Sequence, residues 1–206
     1  AGSAIGLYLN YICGSNVILI IGLIGVFLGF FYTARPLRIG YGSFGELAVG
    51  IGFGPLMVMG AYYVQAQNLP FKIFVISIPI GLLIALVLLI NEFPDYQADK
   101  SVGKKTLVVV LGKENAAILY QFLLAAVYLT IITLIIFKFL PLASLITFLG
   151  LPLALKAIVI SKKNFGKINE LLPANASTIG LHSIIGFLLC SGFILAKAFF
   201  PPLYLK

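Results

Sequence analysis

Acid is scarce in this chain. Only six of its 206 residues are Asp or Glu, against fourteen Lys and Arg. Charged residues make up 10% of the sequence and hydrophobic ones 61%, with a mean hydropathy of +1.13. So little charge excludes an ordinary soluble globular domain, and length is then no count of soluble domains. Cysteine is scarcer still, with two residues. Cys13 and Cys190 sit in separate apolar runs without metal-ligand spacing, which reads as two buried free thiols and not as a disulfide or a zinc site. The one histidine, His182, has no acidic or Cys residue near it in sequence and reads as a packed helix residue, not a catalytic one. The net charge of +8 would suggest nucleic acid in a soluble protein. Here the cations cluster between apolar spans, so membrane topology and an anionic lipid or substrate account for them instead.

What the chain has in abundance is apolar runs of membrane-crossing length. They fall at about Val17–Tyr32, Phe44–Gln65, Phe71–Ile90, Ala116–Phe137, Leu142–Ile160 and Ala176–Phe200, after an apolar helix tail from Ala4 to Cys13. Open strands cannot satisfy their backbone groups in lipid, so these predict an all-α polytopic bundle with about six complete spans and a partial N-terminal one. Gly22, Gly25 and Gly29 recur at helical spacing and suit close helix approach. Tyr62-Tyr63 marks an interface. Pro94 predicts a kink or an end to the third helix, and Pro201-Pro202 stops the last. Alternating spans place Arg35, Arg38, Lys100, Lys104, Lys105, Lys113, Lys156, Lys162, Lys163 and Lys167 on one side. Lys72, Lys138, Lys197 and Lys206 fall on the other. The positive-inside rule then predicts a multi-pass cell-membrane protein with the first side cytoplasmic.

Three of the six acids, Glu92, Asp95 and Asp99, stand together where the run Phe71–Ile90 ends. Carboxylates there are expensive to desolvate and need a cation, a metal or water. Asn91, Asp95 and Asp99 are four apart, so a continuing helix presents an amide oxygen and two carboxylates on one face. Hard oxygens in that arrangement suit Mg²⁺, which takes one or two carboxylates and completes its shell with phosphate oxygens. Lys100, Lys104 and Lys105 follow and would neutralise a polyanion. The pattern predicts a Mg²⁺–diphosphate site at a membrane face. A cation transporter using the Asp pair is the alternative from another class, although transporters hold their ions near the bilayer midplane at broken helices. Tyr32 offers a π-face to a carbocation, or else a belt tyrosine. Arg35 and Arg38 would bind diphosphate, or else fix topology. Glu46, at the start of a Gly-rich span, could orient an arginine or bind an acceptor; it and Glu92 are left without an assigned role.

Asn91-x₃-Asp95-x₃-Asp99, Lys100-Ser101-Val102-Gly103-Lys104-Lys105-Thr106-Leu107 and Leu111-Gly112 resemble the second aspartate-rich motif of the UbiA superfamily of intramembrane prenyltransferases. Tyr32-Thr33-Ala34-Arg35-Pro36-Leu37-Arg38, Gly45-Glu46, Phe53-Gly54-Pro55 and Gly60-Ala61-Tyr62-Tyr63 look most like the branch that prenylates 1,4-dihydroxy-2-naphthoate in menaquinone synthesis. Leu172-Pro173-Ala174-Asn175 to Leu181-His182 agrees more loosely. The resemblance implies a prenyl diphosphate held on Mg²⁺ by Asp95, Asp99 and Asn91, with Arg35, Arg38, Lys104 and Lys105 on the substrate. Ionisation of the C–O bond and attack by an aromatic carbon on the allylic cation would follow, near Tyr32. A same-class alternative is another member, acting on 4-hydroxybenzoate or an archaeal ether lipid. The family has about nine spans and a first Asp-rich motif on an early helix. Residues 1–206 are therefore expected to be one prenyltransferase domain lacking that motif and its helices. Some members carry Lys where Pro36 stands, and Arg35 or Arg38 is expected to supply that charge.

Overall fold

A computed structural model of the chain describes residues 2–199, and among these there is no strand. The helices are α1 (Gly2–Cys13), α2 (Val17–Thr33), α3 (Gly45–Ile51), α4 (Met57–Ala66), α5 (Phe71–Ser101), α6 (Leu107–Ile136), α7 (Leu151–Asn164) and α8 (Ile168–Phe199). A π-helical stretch, Gly52–Leu56, joins α3 to α4 into one span around Pro55. A 3₁₀ stretch, Leu142–Gly150, runs into α7 in the same way. Five such units are long and apolar enough to cross a membrane, and α2, at 17 residues, is a shorter apolar helix beside them. The expected all-α membrane bundle is what the chain forms.

The sequence misplaces several ends, each for a physical reason. Pro94 does not end the third span, because α5 runs on through it to Ser101. The stretch between the expected spans Phe71–Ile90 and Ala116–Phe137 shrinks to a loop of residues 102–106, and α6 begins at Leu107 with one break at Gly112 (φ 77°, ψ 156°), a conformation glycine tolerates. Lys and Asn are compatible with helix, so α7 carries Lys162 and Lys163 in its last turn and α8 starts at Ile168. The Pro201-Pro202 stop and Lys206 lie outside the described residues. Cys13 and Cys190 are free thiols, but Cys190 is exposed on the apolar outer surface and not buried.

The core lies along α5. Leu83, Leu86, Leu89, Ile90 and Phe93 are almost wholly buried against Tyr120, Leu124 and Ile131 of α6 and Leu181 and Ile185 of α8. One polar link joins the last two. Thr178 Oγ1 donates to the Ala174 carbonyl at 2.7 Å, so it accepts from the Tyr120 hydroxyl at 2.6 Å. Lipid supplies little hydrophobic drive between helices, so close backbone contact matters more. It is greatest where the π-helical stretch meets α5. A Cβ on Gly54 would lie 2.5 Å from Gly81 Cα, and one on Gly50 3.0 Å from the Gly81 carbonyl oxygen.

That contact yields a test. Gly54→Ala forces two backbones apart and is expected to destabilise the fold by about 1–3 kcal/mol, read as a lower Tm in detergent. Gly52→Ala meets nothing within 4 Å and is expected to leave Tm within about a degree of wild type. Equal effects at both positions would refute the close contact.

Candidate functional site

Proline lacks an N–H, so Pro94 leaves the carbonyl four residues back, Ile90, without its helical partner. In a buried helix such an orphan must be satisfied from elsewhere. Asn175 of α8 does this: its Nδ2 lies 3.3 Å from the Ile90 oxygen and 2.7 Å from Asn91 Oδ1. One amide thereby keeps α5 continuous across the proline and fixes the Asn91 side chain. Asn175 carries no role in the reading from sequence. The signal was there in the proline, but the partner lies on another helix.

Beyond Pro94 the helix carries Asp95 and Asp99 one turn apart. Asp95 is exposed. Asp99 is 7% exposed and pairs with Lys104, Nζ to Oδ1 at 2.6 Å. The hydrogen bond to Asp99 holds the Lys104 ammonium above its usual pKa, so it stays charged. Gly103, at φ 74°, turns the chain back so that the Lys104 amide also reaches the Asp99 carbonyl at 3.0 Å.

A second loop closes over this turn. The Lys105 amide donates to the Tyr41 carbonyl at 2.7 Å, and the Ser43 hydroxyl donates to the Lys105 carbonyl at 2.9 Å. Tyr41 lies under two cations, with Arg38 4.6 Å and Lys104 5.3 Å from its ring centre. Arg38 Nε is buried without a partner. Together the loops line a cleft of ≈ 380 Å³ that includes Arg38, Tyr41, Gly103 and Lys105. Arg35, by contrast, is exposed and absent from the cleft lining. Lys100 points towards the Tyr96 ring, 5.8 Å away.

Tyr32, at the end of α2, is half-buried. Its ring lies flat on Gly40, where a Cβ would come within 2.6 Å, and its hydroxyl sits 3.5 Å from where Gly45 would carry one. An apolar groove of ≈ 420 Å³ opens beside it, lined by Gly25, Leu28, Gly29, Ala48, Val49, Gly52 and Phe53. Glu46 and Glu92, unassigned from sequence, face each other across α3 and α5 and are 5% and 8% exposed.

Among the described residues no three His, Cys, Asp or Glu side chains form a metal cluster. The donors are Asp95, free and solvent-facing, Asp99, one oxygen of which is on Lys104, and Asn91, whose oxygen has a second lone pair beyond its bond from Asn175. That set fits Mg²⁺ of the kind bound by one or two carboxylates, with water and substrate phosphate completing the shell. It could not cage an ion by itself.

The UbiA prenyltransferase family matches residues 1–179. The chain is 32% identical over 188 residues to a 1,4-dihydroxy-2-naphthoate octaprenyltransferase of Bacillus subtilis, covering 90% of this chain and 60% of that protein. A Mycobacterium tuberculosis protein of the same name is 32% identical over 172 residues, covering 84% and 57%. A 2-carboxy-1,4-naphthoquinone phytyltransferase of Synechocystis is 28% identical over 176 residues, with coverage of 84% and 57%. The chain thus spans about 60% of the length of the curated relatives it matches. No solved structure gives a significant match.

The proline bridge is testable by a double-mutant cycle. Asn175→Ala strands a buried carbonyl and is expected to lower stability by about 1–3 kcal/mol. In a Pro94→Ala background the restored amide takes the Ile90 carbonyl, so the same substitution should cost clearly less. An equal cost in both backgrounds would show that Asn175 does not serve the proline.

Proposed function

The chain belongs to the UbiA prenyltransferase family, and from that premise we propose that it transfers a polyprenyl group from a prenyl diphosphate to an aromatic acceptor. The acceptor in this reading is 1,4-dihydroxy-2-naphthoate or a near relative, the reaction is Mg²⁺-dependent, and its place is lipid-quinone synthesis. What carries the reading is one juxtaposition. Two carboxylates at an exposed helix end stand beside a loop clip that presents Arg38, Lys104 and Lys105.

The chemistry asked of such a site is departure of diphosphate from an allylic carbon. Mg²⁺, when bound, supplies Lewis-acid neutralisation of the leaving group. Asp95 and Asp99 would hold the ion, with Asn91 oriented for it by Asn175. Arg38, Lys104 and Lys105 would grip the phosphate oxygens, fixed before the substrate arrives because their loops are tied together. Arg35, exposed, would serve the approach of the anion rather than its final seat. Tyr32, between the cleft and the groove, would put its ring face against the allylic cation. The glycine-lined groove would take the apolar chain and keep water from the cation. The dihydroxynaphthoate and carboxynaphthoquinone names of the relatives favour a bicyclic acceptor, and their octaprenyl and phytyl names favour a long donor. The Asp-bearing end would face the cytoplasm, since ten of the fourteen cations lie on that side.

In the full-length protein in nanodiscs, a non-hydrolysable geranylgeranyl diphosphate analogue is expected to bind only with Mg²⁺. Asp95→Asn and Asp99→Asn should each abolish that binding and lower prenyl transfer on the order of 10²-fold or more. Binding indifferent to Mg²⁺ or to both substitutions would remove the metal–diphosphate reading.

A further inference from the structure

Four of the six acids of this chain gather at the same end of α3 and α5, and the diphosphate reading uses only two of them. Glu46 and Glu92 remain. Their meeting follows from backbone geometry. Glu46, Gly50 and Gly54 are four apart and fall on one face of their span. That face runs antiparallel to Gly81, Ala85 and Glu92 of α5. A Cβ on Gly50 would lie 3.0 Å from the Gly81 oxygen and 3.4 Å from Ala85 Cβ, and one on Gly54 2.5 Å from Gly81 Cα. With the backbones touching, the two carboxylates are pressed together between the helices.

Thr106 closes the place from above. It is 3% exposed, and its Oγ1 has no hydrogen-bond partner. Its hydroxyl faces Glu92. Both oxygens of Glu46 and Oε2 of Glu92 are likewise buried and unpartnered. The amides of Leu107 and Val108 lie near them and close no hydrogen bond to Glu46 or to Glu92 Oε2. Lys104, in the loop that Thr106 closes, is committed to Asp99 at 2.6 Å. Buried polar groups are almost always partnered, and two buried carboxylates without a counter-charge repel each other while losing their hydration.

We propose that Glu46, Glu92 and the Thr106 hydroxyl form a binding site for one divalent cation, distinct from the Asp95–Asp99 pair. The ligands are all hard oxygens, which selects Mg²⁺, Mn²⁺ or Ca²⁺ over softer metals. Two carboxylates carry the charge that a divalent ion cancels, so the filled site is neutral and tolerable at the edge of a membrane. Its three ligands come from α3, α5 and the residue that precedes α6. The ion therefore staples the start of α6, and with it the Lys104–Lys105 loop, to the helix pair beneath. Tyr32, at the end of α2, lies close enough to both carboxylates to feel their charge, so the ion also sits in the neighbourhood of the ring assigned to the allylic cation.

The experiment uses the full-length protein carrying Asp95→Asn and Asp99→Asn, without diphosphate, so that failure of the prenyl-transfer reading cannot decide it. Bound Mn²⁺ is counted by electron paramagnetic resonance, and Tm is followed with and without Mn²⁺. Expected are a saturable rise in Tm with Mn²⁺, loss of one Mn²⁺ per chain on adding Glu46→Gln, and affinity about tenfold weaker on adding Thr106→Val. Glu46→Gln keeps the side-chain shape and removes one buried charge, so its metal-free Tm should not fall below that of the parent. Thr106→Val provides the second reading should the glutamine variant not fold. Unchanged Mn²⁺ stoichiometry and affinity in the Glu46→Gln protein, or in the Thr106→Val protein, would overturn the site. So would the absence of any bound Mn²⁺ in the parent, which is the result expected if the carboxyl pair holds only a proton.

Discussion

The hydrogen bonds from Asn175 to Ile90 and Asn91 are the contact on which the rest of the site depends. A membrane-buried helix cannot leave a carbonyl unpaired, because no water is present to take it. Pro94 creates such a carbonyl one turn before Asp95. Without a partner, α5 would bend or stop there, and the two aspartates would stand on a loop with no fixed face. With Asn175 in place the helix runs to Ser101, and Asp95 and Asp99 project from it one turn apart. Helix α8 thus sets the geometry of a motif more than seventy residues upstream.

Two further constraints arrange the cations around that motif. Gly50, Gly54 and Gly81 bring α3 against α5, so the segment before α3 is delivered beside the end of α5. There the loop containing Arg38, Tyr41 and Ser43 meets the loop containing Lys104 and Lys105 through two hydrogen bonds and a shared aromatic ring. Loops are normally the loosest part of a membrane protein. Here they are tied to each other and, through Lys104, to Asp99. For the proposed diphosphate substrate this is an advantage, since little ordering is then left to be done on binding.

The spans were legible because lipid demands long apolar runs and a helix to satisfy them. The Asp95–Asp99 face was legible because its four-residue spacing is a local property of one helix. Other features depend on distant partners and carry no local signal. Continuation through Pro94 needs an amide from α8. The meeting of Glu46 with Glu92 needs a glycine contact between two spans. The helix ends near Lys113 and Lys162 were misjudged because charge was read as loop, although lysine is compatible with helix and only the membrane boundary, not the helix, stops there. Cys190 was expected inside because thiols are usually buried; in a bundle whose surroundings are lipid, an apolar residue is equally at home on the outer face.

The distribution of acid then has a physical logic. At a membrane edge a carboxylate needs either water or a positive partner. Asp95 has water, and Asp99 has Lys104. In the proposed site these two would exchange their partners for a metal and a phosphate. Both oxygens of Glu46 and Oε2 of Glu92 have neither, on the helix pair that Gly50, Gly54 and Gly81 bring into backbone contact. Replacing either by an apolar residue would relieve that burden, as is often so for buried charge. Two such groups meeting from different spans, beneath the same loop, is the arrangement expected when a positive ligand completes the structure. On the proposed reading the outer pair exchanges its ligand with each substrate, and the inner pair keeps one.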